Sequence, residues 1–157
     1  MSRSVLVLGL GNTLLSDEGA GVHVINYLQK HHPELPDVDY LDGGTLSFTL
    51  AGPIEDAAGL IVIDAAELGA EAGTIRCFQH RAMDSFVGSN RKRSVHEVSL
   101  LDLLAVAYLT ERLPERRALI GIQPHSVGWG DQPTANVADA IPQACRQVLD
   151  ILQAWRQ

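Results

Sequence analysis

The sequence predicts an α/β protein, a three-layer α/β/α arrangement around a largely parallel sheet. Short, nearly continuous apolar runs recur at Val5–Leu8, Leu60–Ile63 and Arg117–Ile122, as expected of strands buried on both faces. Stretches with helical periodicity alternate with them. Carboxylates stand just beyond the first three strands, at the edge where open α/β sheets bind ligands.

The first strand, Val5–Leu8, runs into a glycine-rich turn in which Gly9, Gly11 and Asn12 are expected to accept positive φ. Asp17 and Glu18 follow, just before a helix over Gly19–His31. Val22, Val24, Ile25 and Leu28 form its apolar stripe, Lys30 and His31 suit its C-terminal dipole, and Pro33 and Pro36 end it. Val38–Leu41 is a second strand leading into DGGT, with Asp42 at its exit and Thr45 as the expected cap of a short helix through Leu50. Leu60–Ile63 is the third strand, with Asp64 at its exit. Thr74–Phe78 is mixed in polarity and reads as an edge strand. Residues Gln79–Val98 read as irregular and contain the basic run Arg91–Arg93, either a solvated turn or a hold for an acidic peptide. Ser99–Leu109 is a leucine-rich helix and Arg117–Ile122 the fifth strand. A Gly- and Pro-rich loop, Gln123–Pro133, precedes a last helix from about Thr134 to Trp155, bent or restarted near Pro142.

At 157 residues, 46% hydrophobic and 20% charged, the chain reads as a single globular domain over 1–157. A formal net charge of −7 argues against a nucleic-acid partner. Two distant cysteines, Cys77 and Cys145, fit a reducing compartment and small buried hydrophobes. The N-terminal apolar run is short and interrupted by glycines, and no run approaches the ~20 residues of a membrane span. A cytoplasmic protein with no membrane partner is expected.

If the first strand is central and parallel to its neighbours, Glu18, Asp42 and Asp64 gather along one rim. Glu18 and Asp64 would then face each other at the switch point between the first and third strands. Any one of these carboxylates could be a cap or turn former. Asp17 takes the structural role, since adjacent residues do not easily point at one ion. Among the histidines, His96 is the candidate, standing before an apolar helix; the alternative is a solvent-facing loop residue. His31 and His32 read as dipole partners, His23 and His80 lack an acidic context, and His125 lies in a suggestive loop. Two carboxylates and one imidazole suit a divalent transition metal with open positions.

Stronger motifs fail. Leu14 stands where a dinucleotide fingerprint needs its third glycine, and the acidic loop would repel a pyrophosphate. Walker A and GxSxG sequences are absent, and Leu100 occupies the second histidine's place of an HExxH signature. These absences count against a dehydrogenase, an NTPase, a serine hydrolase and a zincin. A nucleotide- or metabolite-binding module is the competing class.

GLGNTLLSDEGAGV, LDGGT, the strand exit IDA and GIQPHSVGWG together resemble the hydrogenase maturation endopeptidases, over nearly the whole chain. The resemblance implies a five-stranded sheet of order 2-1-3-5-4 with strand 4 antiparallel. It implies removal of a short C-terminal peptide from the large-subunit precursor of a nickel–iron hydrogenase after nickel insertion. It implies a nickel-binding and catalytic triad of Glu18, Asp64 and His96, with Asp42 supporting the cleft. The nickel would be carried by the substrate, other divalent metals standing in for it on the isolated protein. A nickel-binding chaperone without proteolytic activity would use the same triad. A monomer is expected to suit docking on a large partner.

Overall fold

The computed structural model describes residues 3–89 and 98–156. Its elements run β1 (Val5–Leu10), α1 (Ala20–His31), β2 (Val38–Gly44), α2 (Ala51–Asp56), β3 (Gly59–Ala65), β4 (Ile75–Gln79), α3 (Arg81–Ser89), α4 (Leu100–Leu109), β5 (Arg116–Ile122) and α5 (Ala135–Trp155). The five strands form one sheet of order β2-β1-β3-β5-β4. All neighbours are parallel except β4, which runs antiparallel to β5. The predicted fold class and strand order are those observed.

Strand pleating splits the core in two. Val7, Ile61, Ile63, Ile120 and Ile122 face one side and meet Val24, Ile25 and Leu28 of α1 and Val137, Ala144 and Val148 of α5. The alternate residues, Leu6, Leu8, Leu60, Val62 and Leu119, face the other side and meet Ile54 of α2, Met83 of α3 and Leu103 of α4. Period-two alternation in buried strands thus demands a helical layer on each face.

The β1–α1 junction is unusually close. A Cβ at Gly21 would stand 2.1 Å from the Ile63 carbonyl oxygen and 2.5 Å from that of Leu10, so the first turn of α1 rests directly on sheet backbone. Gly9 serves the same approach from the strand side, where a Cβ would lie 2.3 Å from the Gly21 oxygen. Gly9 therefore belongs to β1 and is required by packing, not by a turn. Of the residues expected at positive φ, Gly11 alone adopts it, at 129°. Asn12 shapes the turn differently, its Oδ1 accepting the Leu14 N–H at 2.9 Å.

Five local expectations are corrected. Ser16–Gly19 is a 3-10 turn and the α-helix starts at Ala20. Thr45 caps nothing: the next turn is a 3-10 segment at Phe48–Leu50 with Ser47 at its N-cap, and α2 follows. The stretch read as irregular contains α3, whose Met83 and Val87 are buried one turn apart. The last helix does not restart at Pro142, which lies inside one helix from Ala135 to Trp155 whose buried Val137, Ile141, Ala144 and Val148 pack in the core. α4 carries a capping box, Ser99 Oγ accepting the Asp102 N–H at 3.1 Å while Asp102 Oδ2 accepts that of Ser99 at 2.9 Å. Both cysteines are free; Cys145 is buried, its thiol pushed up to about 12 by that burial, whereas Cys77 is exposed and so departs from expectation. No helix of the described residues is long and apolar enough to cross a membrane.

Candidate active site at the carboxyl edge of the sheet

The strand order makes β1/β3 the switch point, because the chain leaves β1 toward β2 on one side and builds β3, β5 and β4 on the other. The 3-10 turn Ser16–Gly19, which carries Glu18, packs against β3. Asp64 is the penultimate residue of β3, directly after Ile63, whose carbonyl underlies Gly21. Glu18 and Asp64 thus belong to segments that meet at one junction, and both residues are half-buried. Alternation along β3 puts Asp64 on the face of Leu60 and Val62, the side covered by α2, α3 and α4.

The position of Glu18 depends on Gly11. A Cβ there would meet the Glu18 carbonyl oxygen at 1.9 Å, so only glycine lets the 3-10 turn fold back over the end of β1. The positive φ of Gly11 is the second reason for glycine at this place.

Asp17 is fully buried and its carboxylate is saturated with donors. Oδ2 accepts the N–H groups of His125 at 2.8 Å and Ser126 at 3.0 Å and the Thr134 hydroxyl at 2.8 Å; Oδ1 accepts the Thr134 N–H at 2.7 Å. Burial pushes this carboxyl's pKa up, but the bonds from Ser126, Thr134 and His125 together outweigh it and hold the group below its usual value of 3.8. Asp17 is therefore structural, as expected, and it closes the 123–134 loop onto the first turn. Thr134 is the N-cap of α5, yet its side chain serves Asp17 and not the helix.

Asp42 is exposed at the end of β2 and its Oδ1 accepts the Gly44 N–H at 2.9 Å, holding the DGG turn. Gln123, which the sequence did not single out, is buried at the exit of β5. Its Oε1 accepts the Leu68 N–H at 2.7 Å and its Nε2 donates to Glu67 Oε2 at 3.1 Å, fixing the loop that follows Asp64. Its only sequence signal is a lone amide after an apolar strand.

His96 and the run Arg91–Arg93 lie outside the described residues. Among the described residues no three His, Cys, Asp or Glu side chains gather closely enough to hold an ion. The other histidines lie apart from the carboxylates or act through the backbone. His31 packs against Tyr27 with the rings tilted by 39°, His80 Nδ1 lies 2.8 Å from the Glu115 carbonyl, and His125 meets Asp17 through its N–H. The His23 Nε2 is buried without a partner among the described residues, and burial lowers the pKa of His23.

Residues 22–151 match the family model described as HycI, hydrogenase maturation protease. The chain is 36% identical over 152 residues to the hydrogenase expression/formation protein HupD of Rhizobium leguminosarum, covering 96% of this chain and 75% of that one. It is 34% identical to the hydrogenase 2 maturation protease of Escherichia coli, covering 95% and 90%. Its fold superposes on the hydrogenase maturating endopeptidase HybD from E. coli with a TM-score of 0.88 at 31% identity, covering 97% and 93%.

Proposed function

The chain belongs to the hydrogenase maturation protease family, and from that membership we infer that it cleaves a C-terminal peptide from the nickel-loaded large-subunit precursor of a nickel–iron hydrogenase. The observation that supports this reading is that the turn carrying Glu18 packs on β3, whose penultimate residue is Asp64, at the edge where open α/β sheets bind ligands. Close-packed glycines fix the backbone that carries Glu18 against the end of β1, and a site built on such a rigid junction is more precise than one on a free loop.

Glu18, Asp64 and His96 are the residues that meet the precursor's nickel. Carboxylate oxygens and an imidazole nitrogen are suitable donors for such an ion, and three protein donors leave positions for ligands of the precursor itself. The nickel is part of the substrate, so the protein needs no resident metal. Its recognition orients the precursor so that one peptide bond lies at the rim. Hydrolysis adds water across that bond, and Glu18 or Asp64 accepts the water's proton. Asp42 supports the cleft by fixing the turn after β2.

Glu18→Gln and Asp64→Asn test the reading on nickel-loaded precursor, with the mass of the large subunit as readout. Each is expected to slow processing by roughly a hundredfold or more, the scale of losing a positioned acid–base group, with an unchanged unfolding midpoint. Processing at the normal rate by Glu18→Gln would overturn the assignment. A chaperone without proteolytic activity would instead bind the precursor and leave its mass unchanged in the unaltered protein too.

A further inference from the structure

We propose that Leu14, Val127 and Trp129 form a preassembled apolar ridge on which the folded body of the precursor docks, beside the carboxylates that receive its processing site. The proposal rests on the function inferred above. It starts from exposure: Leu14 is 58% exposed, Val127 52% and Trp129 87%, half of the large exposed hydrophobics among the described residues. All three lie in two short segments that the backbone joins. Leu15 and Gly130 form an isolated parallel bridge. The Ser16 N–H donates to the Gly130 carbonyl at 2.8 Å, the Gly130 N–H to that of Leu14 at 3.0 Å, and the Ser16 hydroxyl to that of Gly128 at 2.8 Å. The two segments approach closely at Gly130, where a Cβ would lie 2.8 Å from Ser16 Oγ.

Hydrogen bonds fix this loop at its base as well. The Asp17 N–H donates to the Ser126 carbonyl at 3.0 Å, and the Asp17 carboxylate takes donors from His125, Ser126 and Thr134. The protein thus spends a buried carboxylate on presenting a tryptophan to solvent. Apolar side chains held rigidly in water are the usual anchors of a protein interface, because little conformational entropy remains to be lost on binding.

Continuity with the site identifies the occupant. Glu18 follows Asp17 in the same 3-10 turn, so a protein whose peptide bond reaches Glu18 has its body over the Leu14–Ser16 segment and the loop bonded to it. Charge says what that body presents. Exposed Asp42, Glu67 and Asp131 belong to the loops and strand end of this rim, and the whole chain carries −7. The complementary face is apolar at its centre with basic residues around it.

Steady-state processing of nickel-loaded precursor by Trp129→Ala and Val127→Ser tests the ridge, with Leu109→Ser as a control 79% exposed at the end of α4, on the opposite edge. The ridge variants are expected to raise KM about tenfold or more with kcat within twofold, and the control to change neither. An unchanged KM in both ridge variants, while the unaltered protein cleaves, overturns the ridge and leaves the inferred function standing. Failure of the unaltered protein to cleave overturns that function, and the ridge as a precursor dock with it. Sedimentation covers the other occupant: a dimer that Trp129→Ala converts to monomer would assign the ridge to a second copy and overturn the proposal.

Discussion

Thr134 donates to the buried carboxylate of Asp17 twice, from its N–H to Oδ1 at 2.7 Å and from its hydroxyl to Oδ2 at 2.8 Å. Asp17 sits in the turn after β1 and Thr134 at the head of α5. The pair joins the loops after the first and fifth strands into one rim, and that rim carries both Glu18 and the exposed Trp129.

Asp17→Asn should lower stability by about 3 kcal/mol, since a buried amide nitrogen would confront the N–H donors that now share a charged acceptor. Thr134→Val, which removes one donor, should cost about 1 kcal/mol. Urea unfolding measures both. Equal stability of Asp17→Asn and the unaltered protein would show that the clamp is not a stabilising element.

The same carboxylate sets a pH dependence. Its pKa is lower folded than unfolded, so its contribution is fully present above the ordinary carboxyl value near 3.8 and is lost as pH falls through the folded pKa. Asp17→Asn should flatten the stability profile below about pH 4. A profile as steep as that of the unaltered protein would place the acid sensitivity elsewhere.

His23 gives a second acid-side effect, in a higher window. Burial lowers its pKa from the usual 6.5. The unfolded chain takes up the proton first as pH falls, so stability declines below about pH 6.5 until the folded pKa is passed. His23→Leu removes the group and should remove that decline, measured as unfolding midpoints between pH 7 and 5.

Gly21→Ala should destabilise the protein by about 3 kcal/mol or more, because its Cβ would meet sheet carbonyl oxygens at 2.1 and 2.5 Å that have no room to retreat. Gly52→Ala in α2 meets nothing within 4 Å and should leave stability unchanged or raise it by up to about 1 kcal/mol. A similar loss at both positions would refute the close-approach account of the β1–α1 junction.

The centre of the sheet was legible in the sequence because β1, β3 and β5 are buried on both faces, and continuous apolar runs such as Leu60–Ile63 need no partner to be recognised. Asp64 was legible for the same reason, since it stands where such a run stops, whereas Asp42 lies within the mixed edge strand β2. Helix α3 was not. Only Met83 and Val87 of its residues are buried, and Asp84 is held by a bidentate pair with Arg117, 33 positions away. The partners of Asp17 lie 108 to 117 positions along the chain, so its role could be argued only by exclusion. Asn12 and Gly9 show the converse error: residues typical of turns were read as one turn, whereas one makes a side-chain bond and the other admits a helix.

The central claim is tested most directly by incubating the purified protein with nickel-loaded and with nickel-free large-subunit precursor and weighing the products. The account predicts loss of a C-terminal peptide from the loaded precursor alone. Equal cleavage of both forms would contradict recognition of the substrate's nickel. An unchanged mass of the loaded precursor from the correct hydrogenase would contradict the proteolytic function.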